Sequence, residues 1–255
     1  MRKHRGFTLI ELLVVISIIA ILMAVLVPAL SKSREKVKDI SCRSNLKNIG
    51  IGVLMYLDAY DRKLPPSNSA NGFLWYNTAG VQFNPRTANG DTYWGVYYFD
   101  YLKEPTIFGC PSLTHVPEGL IYNNGGREPA KVIRESAFAL NYHSRMRGRN
   151  VNTVYKQDEA IFCYDMSEPR PEGGTDDSLH NNDIKGAMNI TQYRQGGSRF
   201  FTYRQIFRHN IRYSDADRTG GRLNILWLDG HVSILNETTG DDVEQRWYTG
   251  DRPKR

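Results

Sequence analysis

Several signatures of catalysis and metal binding are missing from this sequence. It has only three cysteines, Cys42, Cys110 and Cys163, and none stands in a C-x-x-C pair or at a zinc-ligand spacing. There is no H-E-x-x-H, no phosphate-binding glycine loop and no Ser/His/Asp set of recognisable spacing. Charge of one sign is scarce. The net charge is +6, and Arg2, Lys3 and Arg5 supply half of it. No long basic run follows them, and Arg194, Arg199, Arg204, Arg208 and Arg212 are spaced singly, as on a solvated surface. A nucleic-acid partner is not expected.

What the chain does have is one long apolar run. From Phe7 to Leu30 the only charge is Glu11, and the remaining polar residues are Thr8 and Ser17. As a helix this run spans a bilayer core of about 30 Å. The basic flank MRKHR places the N-terminus in the cytoplasm and the rest of the chain across the membrane. A secretory signal would have a shorter apolar core followed by a small-residue cleavage site. Here the sequence continues into SKSREKVKD, which still favours helix. Glu11 is the anomaly, because a carboxylate in the bilayer centre costs about 2.5–3.5 kcal/mol on insertion scales. A plain signal anchor has no use for it, although a carboxylate near the interface can snorkel to the headgroups.

The stretch Gly6-Phe7-Thr8-Leu9-Ile10-Glu11 resembles the leader junction of type IV prepilins and type II secretion pseudopilins. The resemblance implies that a prepilin peptidase cuts between Gly6 and Phe7 and N-methylates Phe7. It also makes Glu11 the assembly residue, pairing with the new amine of a neighbouring subunit. Pro28 falls where that family often has a helix-bending proline. Further on, SCRSNLKNIGIGVLMYLDAYDRKLPP is similar to the post-membrane helix of many pilin-like proteins, as are Cys110-Pro111-Ser112 and Asp229-Gly230-His231-Val232.

Past the apolar run, Cys42, Leu46, Ile49, Val53, Tyr56 and Tyr60 recur at helical spacing, with Leu57 at the margin. Lys36, Arg43, Lys47 and Asp58 fall on the other side. One helix is therefore expected from Phe7 to about Asp61, with bends at Pro28 and the Gly50/Gly52 pair, ended by Leu64-Pro65-Pro66. Residues 65–130 read as loops with a short element near Tyr93–Leu102. Strands are expected at Ala137–Tyr142 and Ala160–Tyr164. In LNILWLDGHVSIL, Asp229-Gly230 reads as a two-residue hairpin turn pairing Leu228 with His231. That register puts Leu223, Ile225, Trp227, Val232 and Ile234 on the face toward the helix. The charged tail after Asn236 is expected to fray.

The expected fold is α+β: a long N-terminal helix, half membrane-spanning and half amphipathic, packed on a small antiparallel sheet in the pilin manner. The segments are a leader over 1–6, a membrane half over 7–30, an amphipathic half over 31–63 and a globular part over 64–255. The expected function is a structural subunit, minor rather than major, of a pilus-like or pseudopilus filament, and not an enzyme. Its partners would be prepilin peptidase, other pilin or pseudopilin subunits, the inner-membrane assembly machinery and membrane lipid. The alternatives are a pilin-anchored carbohydrate- or surface-binding module, which exposed aromatics in 73–101 would favour, and an anchored periplasmic enzyme. No cofactor is expected. Asp176, Asp177 and Asp183 are candidate oxygen ligands for calcium, in a loop that matches no defined site. His209, Asp229 and His231 suggest acid/base or metal chemistry, but a turn aspartate before glycine has a structural reason of its own. Three cysteines allow at most one internal disulfide. Cys42–Cys110 is the candidate, stapling the helix to the first large loop and leaving Cys163 as a buried strand residue.

Overall fold

The computed structural model describes residues 8–66, 72–114, 116, 129–141, 143, 145–166, 205–211, 220–238, 240 and 242–253. Residues up to Val37 and residues from Lys38 onward form two compact units. Helix α1 (Leu9–Ala59) contributes to both. In the first unit it carries no buried residue: Thr8 through Val37 are all exposed. In the second, Asp39, Cys42, Leu46, Ile49, Val53, Tyr56 and Leu57 are buried, at the spacing of one helix face. Tyr60, expected on that face, is half exposed. Gly50 and Gly52 serve close packing. A Cβ on Gly50 would stand 2.9 Å from Leu226, and one on Gly52 would stand 2.6 Å from Leu102.

The helix stops at Ala59, earlier than the prolines require. Asp61 and Arg62 take left-handed backbone conformations, and Arg62 N–H donates back to the Leu57 carbonyl at 2.8 Å. This is a helix end closed by reversed backbone. Leu64 N–H then donates to Arg149 at 3.0 Å, so the chain is already held before Pro65.

After a 3₁₀ turn at Trp94–Tyr98 come α2 (Phe99–Leu102), α3 (Pro129–Glu135) and four strands: β1 (Phe138–Leu140), β2 (Ile161–Asp165), β3 (Arg222–Trp227) and β4 (Val232–Asn236). They form an antiparallel sheet in the order β1-β2-β3-β4. The fold is α+β, a long N-terminal helix with a small antiparallel sheet.

The hairpin register differs from expectation by one residue. Leu226 pairs with Val232, Ile225 with Ser233 and Leu223 with Leu235. Trp227 N–H donates to the His231 carbonyl, and Gly230 N–H to that of Trp227. Leu228, Asp229 and Gly230 thus form a three-residue loop, with Gly230 at φ +86° supplying the left-handed step such loops need. Asp229 stabilises it by accepting from His231 N–H at 3.0 Å. Because side chains alternate, a one-residue shift re-pairs every position. Leu226 and Leu228 share a core with Cys42, Leu46 and Ile49. Leu223, Ile225 and Trp227 instead join Ile161, Tyr164, Val243 and Tyr248 in a second core.

That second core is why the tail does not fray over the described residues. Helix α4 (Arg246–Thr249) brings Trp247 within 5.2 Å of Trp227 and Tyr248 within 6.2 Å of Tyr164, ring to ring. Asn141 Nδ2 donates to the carbonyls of Ile161 and Tyr248. Arg149 reaches the Thr249 carbonyl and the Asp251 carboxylate. In the first core Tyr93 Oη and Trp94 Nε1 both donate to the Phe138 carbonyl, at 2.8 and 2.9 Å. Phe73, Trp75, Tyr93, Trp94, Tyr97 and Tyr98 are all buried, so these aromatics of 73–101 build the interior and are not displayed.

Candidate functional site

Two places combine unusual side chains with unusual surroundings. One is the start of α1. Thr8 Oγ1 accepts from Glu11 N–H at 3.3 Å, while the Glu11 carboxylate accepts from Thr8 N–H at 2.9 Å and from Thr8 Oγ1 at 2.7 Å. This reciprocal pattern is a capping box, which satisfies donors that a helix start otherwise leaves open. Ser17 Oγ donates to the Leu13 carbonyl at 2.7 Å. Each polar side chain of the run thus finds a partner within the helix, as an apolar solvent requires. Glu11 also keeps an exposed carboxylate, available to a charge outside the chain. Among the described residues α1 is long and apolar enough to cross a membrane. Gly6 and Phe7 lie outside the described residues, as do Asp176, Asp177 and Asp183.

The other place is a buried set of charges in the second unit. Asp165, at the end of β2, is wholly buried. Its Oδ1 accepts from Arg208 Nη2 at 2.6 Å, and its Oδ2 accepts from Asn224 N–H at 2.7 Å and lies 3.0 Å from His209 Nε2. Burial alone would push the Asp165 carboxyl up. The guanidinium of Arg208, the neighbouring His209, and the hydrogen bonds from His209 and Asn224 outweigh it and hold the group at about 2. Arg208 also donates to the Met166, Ala137 and Gln205 carbonyls. Asp39, one turn before Cys42 on α1, is buried too. It takes Arg222 Nη2 at 3.0 Å and Asn224 Nδ2 at 3.2 Å, and faces His209 Nδ1 at 3.5 Å. The His209 and Arg222 backbones pair reciprocally, which fixes the ring between the two carboxylates.

Beside this cluster a disulfide joins Cys42 to Cys110, with Cα atoms 5.0 Å apart. Cys110 Sγ lies 3.7 Å from His209 Nε2. Cys163 is buried in β2, and burial pushes its thiol up. The structure gives His209 partners other than the expected ones. It sits with Asp39 and Asp165, whereas Asp229 Oδ1 and His231 Nδ1 pair with each other, 2.7 Å apart, on the exposed hairpin loop. Asp39, Asp165, Arg222 and Asn224 carry no motif. The available signal was Asp39 itself, a carboxylate in phase with the stripe Cys42, Leu46, Ile49.

Comparison with known proteins bears on the first place. Residues 1–27 match the family described as the prokaryotic N-terminal methylation motif. The chain is 62% identical over 39 residues to a type IV wide pilus major component, PilA4, of Thermus thermophilus. That likeness covers 15% of this chain and 30% of the relative, so less than a third of the relative's length is matched. No solved structure matches the chain. Over its first residues, in the methylation motif and the apolar helix that follows it, the chain is similar to type IV pilins.

Proposed function

We propose that the chain is a structural subunit of a type IV pilus-like filament and does no catalysis of its own. The carrying observation is the first part of α1, apolar all round and exposed along its whole length, with Glu11 as its single charge up to Leu30. Such a surface needs lipid before assembly and neighbouring helices after it. A prepilin peptidase removes residues 1–6 and methylates Phe7. Glu11 then meets the amine of an adjacent subunit's Phe7, a contact that gains strength in low dielectric. The capping box explains how the carboxylate is carried before that contact exists. The second unit lies on the far side of the inner membrane from the basic leader. Its loop-rich composition favours a minor subunit, in a pilus or a type II secretion pseudopilus. Burial of Phe73, Trp75, Tyr93, Trp94, Tyr97 and Tyr98 counts against a surface-binding module.

The test is Glu11→Gln. Glutamine keeps an acceptor for the Thr8 donors and removes only the charge. The variant should enter membranes and fold normally, yet lose cross-links between neighbouring α1 helices. A variant that cross-links like the parent overturns the pairing. Mass spectrometry should find a methylated Phe7 at the mature N-terminus, and an unmodified Met1 start from native membranes overturns the processing.

A further inference from the structure

The disulfide and the buried cluster together hold a donor set that the oxidised chain leaves unused. The ligand atoms of Cys42, Cys110 and His209 all lie within 4.8 Å of one another, and all three residues are buried. Asp165 Oδ2 stands 3.0 Å from His209 Nε2, beside the set. On the other side, Nδ1 has no hydrogen-bond partner but faces Asp39 Oδ1 at 3.5 Å. Two thiolates and an imidazole are three of the four ligands of a tetrahedral zinc site. An imidazole that turns its other nitrogen toward a carboxylate is the arrangement that orients zinc-bound histidines. Coordination through Nε2 would place the proton on Nδ1, where Asp39 stands ready to accept it.

We propose that the reduced chain binds one zinc ion through Cys42, Cys110 and His209, with solvent completing the tetrahedron, and that disulfide formation expels it. Two molecules of a thiol reductant, joined into their own disulfide, supply the two electrons and two protons that turn the Cys42–Cys110 bond into two thiols, and zinc displaces those two protons. Two thiolates with one Zn²⁺ carry no net charge, as the disulfide carries none, so the balance around Arg208 and Arg222 is preserved. In the reverse direction an external disulfide is the oxidant. Each cysteine sulfur gives up one electron, the new S–S bond forms, the oxidant leaves as two thiolates, and Zn²⁺ is released. Cys42 and Cys110 are 68 residues apart in sequence. Metal and disulfide would therefore hold the same two segments together, and the second unit could fold before it meets an oxidant.

The full-length chain in detergent, reduced with a phosphine under anaerobic conditions, tests this with Co²⁺ as a coloured stand-in. One equivalent should give thiolate-to-cobalt charge-transfer absorption and tetrahedral d–d bands. Zinc should bleach them, and so should a small-molecule disulfide. His209→Ala should weaken binding at least tenfold and Asp39→Asn by about tenfold. Cys163→Ser should change nothing. If the reduced chain is unfolded without metal, zinc should restore its circular dichroism. A reduced chain that stays colourless with excess Co²⁺, folded or not, overturns the proposal. So do bands that persist in the Cys42→Ser, Cys110→Ser double variant or unchanged binding by His209→Ala.

Discussion

The two stretches of α1 share one backbone and solve opposite solvation problems. Between Leu9 and Leu30 all sides are apolar and all are exposed, while the few polar side chains turn back onto their own helix. Between Asp39 and Leu57 the buried positions recur on one face, with Arg43 and Lys47 among the residues between them. Backbone hydrogen bonding does not distinguish the halves. The difference lies in what surrounds the side chains. The second stretch draws stability from contacts inside the chain, whereas the first buries nothing among the described residues. Substitutions in the two should therefore behave differently in the same unfolding experiment.

The largest effect is expected at Asp165→Ala. It strands the Arg208 guanidinium, whose side chain is 1% exposed, and loss of one member of a buried pair costs about 3–5 kcal/mol. Denaturant unfolding of the second unit, followed by near-ultraviolet circular dichroism of its aromatic core, measures it. Next comes Leu46→Ala, at a fully buried position on α1, where the cavity should cost about 3 kcal/mol in the same assay. Acid should act more weakly and in one direction. Asp165 is held at about 2 against a usual 3.8, so its contribution is complete above about pH 4. It is lost as pH falls toward 2, which amounts to about 2 kcal/mol. Asp165→Asn should abolish that slope. The smallest effect is expected at Leu22→Ala, in the exposed stretch, where second-unit stability should move by less than about 0.5 kcal/mol. A large shift there would break the comparison.

The helix, its buried face and the strand positions were legible because each rests on a periodicity that burial enforces. Cys42, Leu46, Ile49, Val53 and Tyr56 repeat as a core-facing helix must. The hairpin was legible as a hairpin but not in register. Asp229-Gly230 suits both a two-residue turn and a three-residue loop ending in a left-handed glycine, and nothing local chooses between them. The tail misled because its charges are real, yet Trp247 and Tyr248 among them have a sheet face to cover. The buried charges were the least visible. Asp39, Asp165, Arg208 and His209 are far apart in sequence, and each looks like a surface residue until the fold supplies its partner. Of the two candidate sites, the one at Glu11 is written in consecutive residues, and the one at His209 exists only in three dimensions.

The position of the Cys42–Cys110 bond has a mechanical consequence. Any pull along α1 from its N-terminal stretch enters the second unit at Lys38 and meets a covalent cross-link at Cys42. Tension is handed there to the segment around Cys110, before it reaches the noncovalent contacts of Leu46, Ile49 and Val53. Those contacts are then shielded from peeling one turn at a time. The unit must yield as a whole or hold, which makes it a firm attachment at the end of the helix.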